Sequence, residues 1–226
     1  MSNPMSDPLS IIVYSDVICP WCYVGKRRLE AALATPGMPA APPFVWLPFE
    51  LNPEMPAEGV EREAYRNAKF GAAKSAELDR NMLETGRELG IAFAFDRMAR
   101  TPNTRLAHRA IWEAGRQGRQ DAMVERLFHA YFEEAQDIGD AQVLANLAAE
   151  VGLAPEALNS ALSEAQSLDA VVHLEQQGYR MGIQGVPFFI LAQKYGVSGA
   201  QPPEFWLDAL PRIVAEGEGA PAEAEG

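Results

Sequence analysis

The chain has 226 residues, of which 48% are hydrophobic and 22% charged, a composition that can bury a sizeable core and excludes wholesale disorder. Nineteen Lys and Arg against 31 Asp and Glu give a formal net charge of −12. Because such an acidic surface repels phosphate groups, neither nucleic acid nor a membrane is expected as a partner. No apolar run reaches the roughly 20 residues of a membrane-spanning helix, and the N-terminus lacks the features of a signal peptide. These features favour a cytoplasmic protein.

The first predicted elements run strand, helix, strand. Residues 11–14 form a short apolar run typical of a buried strand. Residues 44–49 form a second such run, in which Pro48 favours an edge position. Residues 20–34 predict a helix between them, with Lys26–Arg28 expected on its solvated face. If the two strands are parallel neighbours, their crossover should be right-handed.

Residues 62–181 are rich in Ala, Glu, Arg, Leu and Met, which favours helix. Apolar periodicity and end signals separate helical segments at 62–89, 105–116, 120–135, from Asp140 to Gly152, at 155–163 and at 168–180. There is no repeat of fixed period, so a packed helical cluster is expected rather than a solenoid.

Strand signals return near the C-terminus. Residues 188–191 and 195–198 predict an antiparallel hairpin, and residues 205–214 predict a last helix. Residues 216–226 contain Glu, Gly, Ala and Pro and are expected to be a disordered acidic tail. The order β-α-β, helical insertion, β-β-α predicts one sheet with helices on its faces and a helical cap.

The chain has two cysteines, Cys19 and Cys22, separated by Pro20 and Trp21. A closed zinc site needs about four ligands, and the histidines show no ligand spacing with the pair, so neither a metal nor another cofactor is expected. An isolated C-x-x-C favours a redox dithiol. Cys19 lies at the predicted start of the helix, where unpaired N–H groups and the helix dipole favour a thiolate. We therefore predict Cys19 as the nucleophile and Cys22 as the resolving thiol.

Other residues have weaker signals. Asp16 and Glu50 are candidate proton carriers for the resolving thiol, although such carboxylates more often cap or solvate a loop. Trp21 is expected at the surface, in contact with substrate, and His108 in a structural hydrogen bond. Pro187 could follow a cis bond, but the residues alone favour an ordinary trans proline at a strand start.

Several stretches of the chain resemble the DsbA-like thioredoxin family, specifically its FrnE-type branch. They are residues 15–26 (SDVICPWCYVGK), 103–104 (NT), 107–109 (AHR), 185–189 (GVPFF) and 197–201 (VSGAQ). The resemblance covers the chain from about Ile11 to Val214.

The resemblance implies an α/β, thioredoxin-like fold with a large all-helical insertion. The implied units are a thioredoxin-like domain in two parts, residues 9–61 and 182–215, the helical insertion, residues 62–181, and the tail, residues 216–226. It also implies a cis Pro187 beside the dithiol. In that geometry the backbone of Val186 can pair with an extended substrate segment, so Pro20, Trp21, Val186 and Pro187 are the expected substrate-binding residues.

The resemblance implies a thiol–disulfide oxidoreductase that acts on protein or small-molecule disulfides and dithiols, with glutathione as a further candidate partner. The alternative is a glutathione-dependent isomerase or transferase related to hydroxychromene-carboxylate isomerase. Those relatives typically have serine in place of the first cysteine, so the pair Cys19 and Cys22 favours dithiol chemistry. A third hypothesis is a binding protein whose dithiol holds a metal or is structural. Trp21 replaces the histidine of periplasmic DsbA proteins, which argues against a strongly oxidising pair.

Overall fold

In a computed structural model, which describes residues 9–218, the chain forms a mixed sheet covered by helices. The strands are β1 (Ile11–Ser15), β2 (Phe44–Pro48), β3 (Val60–Glu61), β4 (Arg100–Thr101), β5 (Phe188–Leu191) and β6 (Tyr195–Ser198). The main sheet has four strands in the order β2-β1-β5-β6, and β3 pairs with β4 in a separate ladder. β1 and β2 are parallel, whereas all other paired strands are antiparallel. The predicted β-α-β opening and the C-terminal hairpin are both present.

The first two strands bring the chain to one edge of the sheet. All residues of β1 are buried, as suits an apolar run with neighbours on both sides. β2 is an edge strand, and its last residue, Pro48, has no N–H group for a further neighbour. Ser15 and Pro48 are partners in register, so both strands end at the same level. The segment with the cysteines therefore begins at the carboxyl end of a central strand.

The helices follow the predicted segments with one division. They are α1 (Pro20–Leu33), α2 (Arg62–Phe70), α3 (Ala72–Glu88), α4 (Arg105–Arg116), α5 (Gln120–Phe132), α6 (Ala141–Glu150), α7 (Pro155–Ser163), α8 (Ala165–Arg180) and α9 (Pro203–Glu218). The segment 62–89, predicted as one helix, is divided at Gly71, whose φ of +79° ends α2. Asp140 caps α6 as predicted, accepting hydrogen bonds from two backbone N–H groups.

The sheet has helices on both faces. On one face, Val13 of β1 shares a buried cluster with Leu29 of α1 and Trp206 of α9. On the other face, Gly178 of α8 lies against the ring of Tyr14, where a Cβ atom on residue 178 would be 2.7 Å from a ring carbon. The absence of a side chain at residue 178 lets α8 pack closely on the sheet.

The prediction that the insertion, residues 62–181, is all-helical is wrong at one point. Residues 100–101 form β4, which pairs antiparallel with β3. The pairing needs a close approach of two backbones at Gly59, where a Cβ atom would be 2.6 Å from the carbonyl oxygen of Thr101. Backbone hydrogen bonds at this contact tie the insertion to the sheet domain.

The basic triplet of α1 is not a solvated face. The Lys26 side chain is only 2% exposed and contacts the carboxylates of Glu30, Asp121 and Glu125. Arg28 donates a hydrogen bond to the carbonyl oxygen of Ala200 at 2.6 Å. The expectation failed because α1 is packed between other elements, so its basic residues find partners on α5 and on the C-terminal segment.

The last helix is longer than predicted. α9 continues past Pro211 to Glu218, so residues 216–218 of the predicted disordered tail are helical. The rest of that tail, residues 219–226, lies outside the described residues. Among residues 9–218, no helix is both long and apolar enough to cross a membrane.

Candidate active site

The cysteine pair lies at the start of α1. Cys19 is the residue before the first helical turn and has extended backbone angles, φ −88° and ψ 110°. Its side chain makes no capping hydrogen bond, and Pro20 occupies the first helical position, as predicted. Both cysteines are free thiols. An anion on the Cys19 sulfur would therefore face the positive end of the helix dipole.

The two thiols differ in their surroundings. Cys19 is 5% exposed and lines a cleft, whereas Cys22 is 1% exposed and lies behind it. Burial raises the pKa of the Cys22 thiol well above its usual value, and the hydrogen bond and charge of Cys19 raise it further. The Ser15 hydroxyl and the Asp16 backbone N–H offset only part of this effect. The Cys22 thiol is therefore protonated at neutral pH, and a base must take this proton before the sulfur can act as a nucleophile.

A proline loop from the far end of the chain completes this side of the site. The Val186–Pro187 bond is cis, as the resemblance implies and the residues alone did not indicate. The Cys19 thiol donates to the carbonyl oxygen of Val186, with 3.6 Å between sulfur and oxygen. Sequence reasoning did not single out Gly25 for its packing, yet a Cβ atom there would be 3.1 Å from the Pro187 ring. α1 and this loop are therefore closely packed, and a side chain at residue 25 would require its neighbours to shift by a few tenths of an ångström.

Cys19 opens into a cleft of about 400 Å³ between the start of α1 and the helices α2 and α3. Trp21, at 43% exposure, lines it, as predicted for a residue that meets solvent. The lining of the cleft is largely apolar. Its apolar side chains include Leu51, Phe70, Met82, Phe95, Met98 and Phe132. The cleft can thus enclose a small molecule or an extended peptide segment beside the nucleophile.

One wall of the cleft is basic. Arg62, Arg66 and Lys69 of α2 line it together with a single carboxylate, Asp79. Asp79 pairs with both arginines at 2.8–2.9 Å. Lys69 donates to Asn52 and Tyr65 side-chain oxygens, and no ion pair to it occurs within residues 9–218. Sequence analysis missed this wall, although the spacing of the three cations, four and three residues apart, places them on one helix face.

The two predicted proton carriers have different surroundings. Asp16 is fully buried, and its carboxylate accepts hydrogen bonds from the N–H groups of Leu51 at 2.8 Å and Ile18 at 3.4 Å. Its backbone N–H faces the Cys22 sulfur. The Glu50 carboxylate accepts hydrogen bonds from Nε and Nη2 of Arg105, at 2.8 and 3.0 Å. The Glu50 carboxylate is therefore engaged in a bidentate ion pair.

Two further buried groups join these carboxylates. Glu175 accepts a hydrogen bond from the Glu50 N–H at 2.8 Å. Burial and then the charge of Glu50 raise the pKa of Glu175, while His108, the Glu50 N–H and Arg105 offset part of this. His108 lies 3.5 Å from Asp16, measured from Nε2 to Oδ1. A buried polar cluster therefore lies beneath the dithiol.

No other feature of residues 9–218 offers comparable chemistry. A larger groove, of about 530 Å³, runs past Leu33, Pro43 and Gly118, but neither cysteine nor histidine lines it. No group of three or more His, Cys, Asp and Glu side chains in the described residues could hold a metal ion. Of the two cysteines, both within residues 9–218, Cys19 is the one that lines the apolar cleft.

A family model for the DSBA-like thioredoxin domain matches residues 10–211. This chain belongs to that family. The predicted thioredoxin-like α/β fold is thereby confirmed, whereas the FrnE-type branch stays a prediction.

Individual relatives agree with this assignment. YwbO, an uncharacterized protein of Bacillus subtilis (strain 168), is 30% identical over 182 residues, which are 80% of this chain and 86% of that protein. A probable DsbA oxidoreductase from Streptomyces coelicolor has a TM-score of 0.84 and 31% identity, covering 95% of this chain and 93% of that one. The cytosolic disulfide reductase DsbM from Pseudomonas aeruginosa, solved with GSH, has a TM-score of 0.60 and 21% identity, over 92% of this chain and 96% of that one.

Proposed function

We propose that this DsbA-like protein is a thiol–disulfide oxidoreductase in which Cys19 is the nucleophile and Cys22 the resolving thiol. The observation that carries the proposal is the asymmetry of the pair. Cys19 lies at the positive end of α1, on a cleft wide enough for substrate. Cys22 is buried behind it, and its pKa is raised by burial and by Cys19.

The reaction needs two exchanges. The Cys19 thiolate attacks one sulfur of a substrate disulfide, a Cys19–substrate disulfide forms, and the other substrate sulfur leaves as a thiolate. Cys22 then loses its proton and attacks the Cys19 sulfur. The Cys19–Cys22 disulfide forms as the second substrate thiolate leaves, so the substrate is reduced and the protein oxidised. The reverse sequence oxidises a substrate dithiol.

Substrate contacts are proposed for the residues around the sulfur. The Val186 backbone lies next to Cys19 and can pair with an extended peptide in the manner of a strand. Pro20, Trp21 and Pro187 complete this surface, and the exposed Trp21 ring offers apolar contact. Protein disulfides and small disulfides could both dock here.

Glutathione is proposed as a small thiol partner. Glutathione carries two carboxylates, and the cationic wall at Arg66 and Lys69 faces the cleft that contains Cys19. The relative DsbM was solved with GSH. Because the net charge of −12 repels phosphate groups, neither nucleic acid nor a membrane is proposed as a partner. The cytoplasm is the proposed compartment.

The decisive experiment uses the two cysteine variants separately. Cys19→Ser should abolish the acceleration of insulin reduction by a dithiol reductant over the uncatalysed rate. Cys22→Ser should accumulate a disulfide between Cys19 and the substrate, visible by non-reducing electrophoresis and mass spectrometry. An inactive wild-type protein in both insulin-reduction and scrambled-disulfide assays would contradict the proposal. So would a Cys19→Ser protein with wild-type activity.

A glutathione-dependent isomerase is the second candidate function. The favouring observation is that the same cleft joins a cationic wall to aromatic side chains, Phe70 and Phe95 among them, so it could hold glutathione beside an aromatic substrate. Turnover of a hydroxychromene carboxylate that requires glutathione and survives Cys19→Ser would favour it. Loss of that turnover in the Cys19→Ser protein would argue against the isomerase and favour the dithiol mechanism.

A further inference from the structure

A small cavity lies behind the cysteine pair, separate from the substrate cleft. It has a volume of about 50 Å³ and lies between the ends of β1 and β2 and the helix α4. Ser15, His108 and Gln120 supply its polar lining. A cavity needs only about 10–15 Å³ of such space to hold a water molecule, provided that polar partners are present.

Two buried polar atoms of this lining, Ser15 Oγ and His108 Nε2, have no well-aligned hydrogen bond to another described residue. Each faces one polar group, the Cys22 thiol for Ser15 and the Asp16 carboxylate for His108. Among residues 9–218, only four buried side-chain polar atoms lack a well-aligned hydrogen bond. Because buried polar groups without a good hydrogen bond are costly, two of them on one cavity point to a water that serves both.

The two atoms connect the resolving thiol to an acid–base pair. The Ser15 hydroxyl lies beside Cys22 and lowers the pKa of that thiol. On the other side of the cavity, His108 Nε2 lies 3.5 Å from Asp16 Oδ1. The charged groups that face His108 are Asp16 before α1, Glu50 after β2 and Glu175 on α8, and Arg105 of α4 pairs with Glu50.

We propose that water in this cavity links Ser15 to His108, and that neutral His108 accepts the proton of Cys22 during resolution, after which its imidazolium pairs with Asp16. His108 would then be a catalytic base acting through water, and Ser15 a positioning residue. The inference rests on the proposed function, because it concerns the second exchange of that reaction.

The step balances in atoms and electrons. The Cys22 proton passes through the Ser15 hydroxyl and the water to His108 Nε2, which becomes imidazolium beside the Asp16 carboxylate. The Cys22 thiolate forms the bond to the Cys19 sulfur, and the bond from Cys19 to the substrate sulfur breaks. The substrate sulfur leaves with that electron pair and takes a proton from solvent in the cleft.

The electrostatics of His108 suit this role. Burial by itself lowers the pKa of His108, but the contact with Asp16 and the charges of Asp16, Glu175 and Glu50 outweigh burial and raise the pKa above its usual value. A base is most effective when its pKa lies near the working pH. The carboxylates around His108 therefore stabilise the imidazolium that forms when it takes a proton.

The test separates the two exchanges in one reaction. Reduced protein is mixed with dithiobis-nitrobenzoate, an aromatic disulfide whose thiolate is coloured, so attack by Cys19 releases a first equivalent and attack by Cys22 a second. Ser15→Ala and His108→Asn should each slow the second phase by about tenfold or more. Both variants should show a weaker increase of the second-phase rate with pH and an unchanged first phase. Ser15→Thr, which keeps the hydroxyl, should restore the wild-type second phase.

Matched controls separate this role from a structural one. Ser10 Oγ is also buried without a partner among the described residues but does not line the cavity, so Ser10→Ala should leave the second phase unchanged. The exposed His173 serves as the histidine control, as His173→Asn. A wild-type second phase in Ser15→Ala, or a slower one with an unaltered pH profile, would overturn the inference. If wild-type protein lacks the first phase, the proposed function fails instead.

Discussion

Only two residues, Pro20 and Trp21, lie between Cys19 and Cys22, yet the two sulfurs have different surroundings. One turn of helix moves the second sulfur from the rim of the cleft into the core, where burial favours the neutral thiol. At the residue scale the site is therefore built from unequal environments for like groups. The carboxylates beneath it follow the same principle: Arg105 neutralises Glu50, while Glu175 lies near the charge of Glu50.

The raised pKa of Glu175 predicts a pH-dependent gain from its removal. Glu175→Gln should increase the free energy of unfolding at pH 7 by about 1 kcal/mol, because glutamine can still accept from the Glu50 N–H but carries no charge. A carboxyl whose pKa is raised by folding costs stability as the pH rises from its unfolded pKa through its folded one. Urea unfolding at several pH values should show the gain shrinking toward about pH 4.

The control for this substitution is Glu84→Gln, at an exposed position of α3. It should change the unfolding free energy by less than about 0.5 kcal/mol at any of these pH values. A Glu175→Gln protein that is no more stable than wild type at pH 7 would show that its contacts with His108 and Arg105 outweigh the repulsion.

At the scale of elements, α1 joins the sheet to the helical layer. Its apolar side packs on the sheet through Leu29, and Lys26 reaches α5, where Asp121 and Glu125 lie at 3.5 and 3.0 Å. Burial by itself lowers the pKa of Lys26, but the surrounding carboxylates outweigh it and raise the pKa above its usual value. The ammonium group therefore stays charged in a buried position and holds the two helices together.

Removal of this charge should be costly. Lys26→Met should lower the free energy of unfolding by about 2–4 kcal/mol, because it removes the buried cation that three carboxylates share and leaves only Arg27 to pair with Glu30 and Glu125. The loss should persist across neutral pH, since a lysine with a raised pKa contributes its full stability below its unfolded pKa of about 10.4.

Lys74→Met is the matched control, because Lys74 is 55% exposed and pairs only with Glu77 among the described residues. An exposed pair of this kind contributes roughly 0–1 kcal/mol. Chemical denaturation of both variants would measure the difference, and equal effects would show that burial of Lys26 adds nothing.

The contact between α8 and the sheet gives a second prediction at this scale. Gly178→Ala places a Cβ atom 2.7 Å from the buried ring of Tyr14, so α8 or the ring must shift. We expect a loss of about 1–3 kcal/mol in unfolding free energy, despite the better helix propensity of alanine.

Gly115→Ala controls for helix propensity. Its Cβ atom would meet only the side chain of Gln120, at 3.2 Å, and a shift of a few tenths of an ångström there would relieve the contact. This variant should be neutral or up to about 1 kcal/mol more stable than wild type. A Gly178→Ala protein as stable as Gly115→Ala in urea titrations would mean that the sheet and α8 separate easily.

At the scale of the whole molecule, the charge distribution is uneven. The chain carries a net charge of −12, but the wall of the cleft at Arg62, Arg66 and Lys69 is cationic. An anionic disulfide is therefore repelled by the molecule as a whole and attracted at the site. Helices α2 and α3 supply the side of the cleft that faces the dithiol, so the cleft depends on how these helices pack.

This arrangement predicts selectivity for charge in small disulfides. Lys69→Glu should slow reaction with oxidised glutathione and speed reaction with cystamine, a dication, so that the ratio of their rate constants falls by about three- to tenfold at low salt. Stopped-flow rates at two ionic strengths should show the effect shrinking as salt screens it.

Lys74→Glu makes the same change of charge at a position that does not line the cleft. It should leave the ratio of the two rate constants near the wild-type value. If Lys74→Glu and Lys69→Glu shift the ratio equally, net charge rather than the wall of the cleft decides the preference.

Local pattern was sufficient for much of the fold and for the centre of the site. The periodicity of residues 105–116 and 155–163 predicted α4 and α7 with the bounds found in the structure. The C-x-x-C at a helix start predicted where Cys19 would lie. Both succeeded because the physics involved, an apolar helix face and the unpaired groups of a first turn, depends on neighbours in the chain.

What the amino-acid sequence determined by itself is thus the order of the main-sheet strands, the bounds of several helices and the dithiol at the start of α1. Only the tertiary structure decided that Val186 meets the sulfur, that α2 brings a cationic wall to the cleft, and that Lys26 and His108 are buried. Those contacts join residues far apart in the chain. Their burial and charge depend on which elements pack together, which local spacing does not encode.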